Sequence, residues 1–142
     1  MRRILSTFLV AGLSVFLIGC GENHGTFPVS VTITQNGVPL AGAVVTAISS
    51  DGQGNSASGM TNAAGVAALE TTQGWNGAFP GEYNVAVVKW ENITVPAPSE
   101  DDPQGTATYQ RNILPTRYET HATSGFTLSV GNRAVEVEFN IE

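Results

Sequence analysis

The chain contains one cysteine and two histidines, the side chains best suited to nucleophilic or metal chemistry. Cys20 follows an apolar run near the N-terminus, His24 lies in a short polar segment, and His121 lies three residues before Ser124. A structural zinc site takes four ligands, and a nucleophilic triad needs a base that a third group holds in place. These few side chains favour neither arrangement. We therefore predict no catalytic residues, no metal site and no cofactor.

Cys20 ends a segment that is typical of a secretory signal peptide, here residues 1–19. Its start is basic, and residues 4–18 carry no charge. A helix that spans a membrane needs about 20 apolar residues, which is more than this segment contains. The sequence LIGC at residues 17–20 resembles the lipobox of bacterial lipoproteins. The resemblance implies a diacylglycerol thioether on Cys20, cleavage before it and acylation of the new amine. The alternative is an ordinary signal peptide with an unrelated cysteine.

The charge that remains after cleavage limits the partners. Loss of residues 1–19 leaves four basic side chains against twelve acidic ones, a net charge of −8. Such an acidic domain disfavours nucleic acid and electrostatic docking on anionic lipid. The predicted partners are the membrane, through lipid on Cys20, and an envelope protein or a glycan. The predicted location is the cell membrane or the outer membrane, facing the periplasm or the exterior.

Alternating apolar residues predict an all-β domain over residues 27–142, joined to the lipid by a tether at 20–26. Two segments interrupt the alternation and are predicted to be loops. These are residues 49–59, rich in Gly and Ser, and residues 91–112, a long mobile loop with three prolines and an acidic run. About seven short strands separated by turns favour a β-sandwich. The predicted strands cover residues 27–34, 43–48, 66–71, 81–90, 125–130 and 134–141, with an Asn36-Gly37 turn after the first.

Three segments in order resemble carboxypeptidase regulatory-like and transthyretin-like domains. They are NGVPLAGAVVTAI (36–48), TNAAGVAAL (61–69) and GEYNVAVVKW (81–90). The closing stretch from Leu114 resembles the C-terminus of small lipoproteins of planctomycete-type bacteria. Together these resemblances imply a seven-stranded, prealbumin-like (Ig-like) sandwich over 27–142 and no chemistry. The enzymatic relatives, hydroxyisourate hydrolases, end in Tyr-Arg-Gly-Ser, whereas this chain ends in FNIE.

The loop aromatics Trp75 and Phe79 are the candidates for ligand contact. Exposed aromatics on loops mark carbohydrate or protein contacts, and the competing interpretation is that Trp75 covers an open end of the core. The acidic run Glu100-Asp101-Asp102 could offer oxygen ligands to Ca²⁺, or form a solvated loop. We predict a lipid-anchored, non-enzymatic module with a structural or interaction role. The alternatives are a glycan- or peptide-binding protein using Trp75 and Phe79, and a hydrolase using His121 and Ser124.

Overall fold

The structure, a computed structural model, describes residues 24–142. The predicted signal peptide and Cys20 therefore lie outside the described residues. The described chain is all-β, with a single short 3₁₀ helix, η1 (Thr116–Tyr118). Its strands are β1 (Val29–Gln35), β2 (Val38–Pro39), β3 (Val44–Ser49), β4 (Ser56–Met60), β5 (Val66–Ala68), β6 (Glu70–Thr71), β7 (Gly81–Val88), β8 (Trp90–Pro96), β9 (Thr106–Asn112), β10 (Phe126–Val130) and β11 (Val135–Ile141).

Two packed sheets form the body of the domain. Sheet A has the order β11-β1-β2, with β5 also pairing with β1, and sheet B has the order β10-β7-β3-β4-β6. The first and last strands are parallel and in register from Val29↔Val135 to Gln35↔Ile141. Because β1 lies between β11 on one side and β2 and β5 on the other, β11 forms an edge of sheet A.

Alternate residues of both sheets point into one shared core, as the period of two in the sequence predicts. The Asn36-Gly37 turn after β1 is confirmed, with φ of 50° and 79°, the positive values that a tight hairpin turn requires. A stack of Tyr118, Phe126 and Phe139 joins β10, β11 and η1, with ring centroids 5.1 and 4.5 Å apart. The buried core side chains include Val29, Val31, Ile33, Val45, Ala47, Leu69, Tyr83, Val85, Val87, Leu128 and Ile141.

The two ends of the sandwich differ in what they carry. The N-terminal end holds the start of β1, where Phe27 and Ala78 exchange backbone hydrogen bonds of 2.9 and 3.0 Å. The loops 50–55, 72–80 and 131–134 lie at this end. The opposite, distal end holds the β1–β2 turn and residues 61–65, where Leu40 N–H donates to the Ile33 carbonyl at 2.9 Å. The chain from Lys89 to Gly125 also begins and returns at the distal end, because β7 and β10 are antiparallel.

The prediction of a mobile loop at 91–112 is wrong. Strands β8 and β9 pair over seven rungs, from Trp90↔Asn112 to Pro96↔Thr106, and form a two-stranded sheet of their own. We call residues 90–112 the arm. Its prolines do not break the ladder, because Pro96 is the last residue of β8, a position that strands tolerate. The acidic run lies in the turn at its tip.

The predicted loop at 49–59 is also too long, because Ser56–Met60 form β4 between β3 and β6. The small side chains that suggest a loop serve close packing instead. A Cβ on Gly59 would lie 2.3 Å from the Ala68 carbonyl oxygen, so only glycine lets the two chains approach so closely.

Candidate functional site

The loop with both predicted contact residues, 72–80, is held firmly at the N-terminal end. The Trp75 carbonyl accepts a hydrogen bond of 2.9 Å from Thr71 N–H, and the Trp75 N–H donates to Thr71 Oγ1 at 3.2 Å. Gly77 N–H donates to the Leu69 carbonyl at 2.7 Å. These bonds fix the backbone of Trp75 relative to sheet B.

Three aromatic rings meet at this loop. The rings of His24 and Trp75 are stacked, with centroids 4.2 Å apart and planes 8° from parallel. Phe79 meets Trp75 edge to face, with centroids 6.0 Å apart. Trp75 and Phe79 are both half-buried. His24, assigned to the tether by its sequence, therefore covers one face of the indole, and a ligand of Trp75 would need the remaining surface. Ligand contact by Trp75 and Phe79 stays a prediction.

The stack makes a measurable contribution to stability. Trp75→Ala is expected to lower the free energy of unfolding by about 2 kcal/mol, because a half-buried indole is lost. His24→Ala should cost about 1 kcal/mol, the typical worth of an aromatic pair. Urea unfolding of the two variants and of the double variant measures their coupling. Gln73→Ala, an exposed change in the same loop, serves as the control, and additive effects of His24 and Trp75 would contradict the stack.

Tyr83 connects this loop to the core. Its hydroxyl donates a 2.8 Å hydrogen bond to the Phe79 carbonyl. Burial raises the pKa of Tyr83, and the nearby Asp51 carboxylate raises it further. Hydrogen bonds from the Ser49 hydroxyl and the Gln53 N–H lower the pKa of Asp51. The phenol thus stays neutral and donating, and the carboxylate stays ionised and caps its turn.

The structure does not join His121 and Ser124 into a catalytic pair. Ser124 is buried, its hydroxyl donates to the Val85 carbonyl, and it accepts from Phe126 N–H at 3.1 Å. The Nε2 atom of His121 is buried and has no hydrogen-bond partner. A nucleophile needs its proton directed at a base. Here that proton is directed at a backbone oxygen, which gives Ser124 a structural contact between β7 and the start of β10.

The acidic run forms part of the turn at the tip of the arm. Asp102 N–H donates to Ser99 Oγ at 3.1 Å, and Asp102 Oδ1 accepts from Gln104 N–H at 3.2 Å. Within residues 24–142 no group of three or more His, Cys, Asp or Glu side chains is placed to hold a metal ion. The same part of the chain contains no helix with the length and hydropathy to cross a bilayer.

A shallow groove opens at the N-terminal end, between the end of β10 and the start of β11. It is lined by one basic side chain, one acidic side chain and small residues: Ser129, Gly131, Arg133, Ala134, Val135 and Glu136. The Ser129 hydroxyl donates to Glu82 and is not free to act on a ligand. The groove therefore offers mixed charge and no activated nucleophile.

Exposed apolar side chains concentrate at the distal end, which the sequence patterns do not indicate. Val38 and Met60 are 65 % and 64 % exposed, and Trp90 and Tyr109 on the arm are 50 % and 48 % exposed. Only Ile48, among the exposed large apolar residues described, lies elsewhere. Met60 pairs with Val44, which pairs with Val88, so an apolar row crosses sheet B and leads towards Trp90.

Comparisons of the chain with protein-family models, curated proteins and solved structures found no match. The fold defines the class as an all-β domain of two packed sheets with a projecting arm.

Proposed function

We propose that the protein is a lipid-anchored, non-enzymatic module of the bacterial cell envelope that presents a protein-interaction surface away from its anchor. We further propose that its sandwich is of the seven-stranded, prealbumin-like type found in carboxypeptidase regulatory-like domains. The location is the cell membrane or the outer membrane, with the domain in the periplasm or at the exterior. The observation that carries the proposal is that the first described residues and the exposed apolar side chains lie at opposite ends of the sandwich.

The position of His24 supports the anchoring half of the proposal. His24 lies four positions after Cys20, and four extended residues span at most about 14 Å. His24 stacks on Trp75 at the N-terminal end. An acylated Cys20 therefore holds loop 72–80 close to the lipid headgroups. The distal end then faces away from the bilayer.

The distal end supports the interaction half of the proposal. Contiguous exposed apolar surface on a domain is typical of a site of protein contact. Met60, Val44 and Val88 form one row, and the exposed Trp90 at the base of the arm follows Val88 closely in the chain. None of these side chains supplies acid–base or nucleophilic chemistry, which fits binding rather than catalysis.

Fluorescent labels at the two ends test this orientation. Because the lipid occupies the thiol of Cys20, Gln73→Cys and Asp101→Cys each introduce one reactive thiol, in loop 72–80 and at the arm tip. The full-length proteins are reconstituted into vesicles with a nitroxide on the lipid headgroup. We expect strong quenching of the label at residue 73 and weak quenching at residue 101. Equal quenching, or stronger quenching at residue 101, would contradict the orientation, and failure to bind vesicles would contradict anchoring.

A further inference from the structure

The outer edge of β11 is an unpaired side of sheet A. Strand β11 pairs with β1 along its whole length and with no other strand of the described chain. Val135 N–H donates to the Pro28 carbonyl beside β1 at 2.9 Å. Successive residues of a strand direct their backbone groups to opposite sides. The N–H and C=O groups of Glu136, Glu138 and Asn140 therefore point away from β1.

This edge is long and regular compared with the other edges of the two packed sheets. Proteins protect exposed edges by short strands, prolines or bulges. The strands β2, β5, β6 and β10 have two to five residues. Strand β11 has seven residues, without a proline or a break in its register. Its backbone is thus a template on which a further strand can pair.

The side chains of β11 indicate which strand fits. On the solvent face, Glu136 and Glu138 are exposed, and neither forms an ion pair with another described residue. On the opposite face, Val135 and Val137 pack against the core but are only partly buried. A further strand places its alternate side chains beside these two pairs. Basic residues match the glutamates, and apolar residues cover the valines.

The shallow groove described above continues this edge. It lies between the end of β10 and the start of β11, and its lining includes Val135 and Glu136. Nearer the distal end, the stacked rings of Phe126 and Phe139 fill the space between the sheets. The incompletely covered part is therefore the first half of β11, where the groove leaves room for the side chains of a further strand.

A second copy of the chain does not fit this edge. In an antiparallel pair of β11 strands in full register, each Glu138 lies opposite its counterpart, and like charges in that position are destabilising. No strand of the described chain carries two basic residues, so none supplies the complementary pattern. The matching strand belongs to a different protein.

We propose that the outer edge of β11 binds an extended segment of another protein in which basic and apolar residues alternate, added as a further strand of sheet A. Backbone hydrogen bonds attach the segment, and Glu136 and Glu138 select its charge. The site runs along the side of the sandwich. It is a second interaction site, beyond the proposed function, and it requires neither the distal end nor the lipid.

Peptide binding tests the proposal. The probe is a blocked heptapeptide with lysine at the odd positions and valine at the even ones. A peptide of the same composition, with its valines grouped in the centre, has the same charge without the alternation. In calorimetry with the full-length protein in a zwitterionic detergent, the alternating peptide should bind several-fold more tightly. Equal affinities, or no binding of the alternating peptide, would overturn the proposal.

Charge reversal on β11 tests which carboxylates select the peptide. Glu136→Lys/Glu138→Lys should weaken binding about tenfold, because two attractive cross-strand pairs become repulsive. Glu100→Lys/Asp101→Lys makes the same change of net charge at the tip of the arm and should leave the affinity nearly unchanged. Equal weakening in the two double variants would show that only net charge matters, and the proposal would fail.

Amide hydrogen exchange, followed by NMR, tests the backbone contact without any substitution. In the free protein the amides of Val137 and Phe139, which face β1, should exchange slowly, whereas those of Glu136, Glu138 and Asn140 should exchange fast. Saturation with the alternating peptide should slow the exchange of these three amides. Continued fast exchange in the saturated complex would show that the peptide does not pair with β11.

Discussion

Replacing Cys20 with Ser is expected to move nearly all of the cleaved protein from the membrane fraction to the soluble fraction. A serine hydroxyl does not form the thioether to diacylglycerol, and the net charge of −8 after residue 19 does not favour anionic lipid. Two or three acyl chains hold a protein stably, whereas none leaves the domain in water. Cell fractionation with intact-mass measurement reports both the distribution and the acyl mass on Cys20.

The cleaved form must be identified in this experiment, because an uncleaved apolar segment would keep the variant on the membrane for another reason. Intact mass distinguishes the two. Gly21→Ala, the neighbouring position, is the control and should stay in the membrane fraction with its acyl groups. A Cys20→Ser protein that is cleaved, folded and still bound to membrane after a high-salt wash would show that another surface carries the contact.

The long strands could be predicted because each buries one face. In β1, β7 and β11 the apolar residues recur at every second position, which is the period that a half-buried strand imposes. The pairing of the strands could not be predicted in the same way. The parallel contact of β1 with β11 joins residues about a hundred positions apart, and no local pattern specifies which strands become neighbours.

The two strands of the arm were not predicted, because neither face of the arm packs into the core. Ile93 and Val95 do alternate with polar residues, but five of the seven residues of β9 are polar, and the acidic turn between the strands is typical of a solvated loop. Hydrophobic contrast is the main signal for a strand. A hairpin that packs neither face into the core shows that contrast weakly within its own sequence.

The sequence predicts only part of the structure of loop 72–80. Its glycines and aromatics suggest a turn that carries exposed rings, and Trp75 and Phe79 do lie together there. The stacking of His24 on Trp75 could not be predicted, because it depends on where the start of β1 meets the end of sheet B. The polar sequence around His24 indicates only a tether.

Gly77→Ala is expected to be among the most destabilising single changes in the chain. Gly77 has a φ of +88°, and a Cβ there would lie 1.9 Å from the Phe27 carbonyl oxygen and 2.4 Å from its carbon. Those backbone atoms take part in the Phe27–Ala78 bridge and cannot swing aside as a side chain does. Strained φ and the clash together should cost about 3 kcal/mol or more, measured as a lower urea midpoint.

Gly74→Ala separates the two causes. Gly74 lies in the same loop with nearly the same φ, +80°, but a Cβ there meets nothing within 4 Å. Gly74→Ala should therefore lower the free energy of unfolding only through the left-handed backbone, by about 1 kcal/mol. The difference between the variants therefore measures the close approach of loop 72–80 to the start of β1. If both lost the same stability, that approach would not be what requires glycine at position 77. If Gly77→Ala alone also abolished the His24–Trp75 stack, followed by Trp75 fluorescence, the same bridge would be what holds the N-terminal segment against the loop.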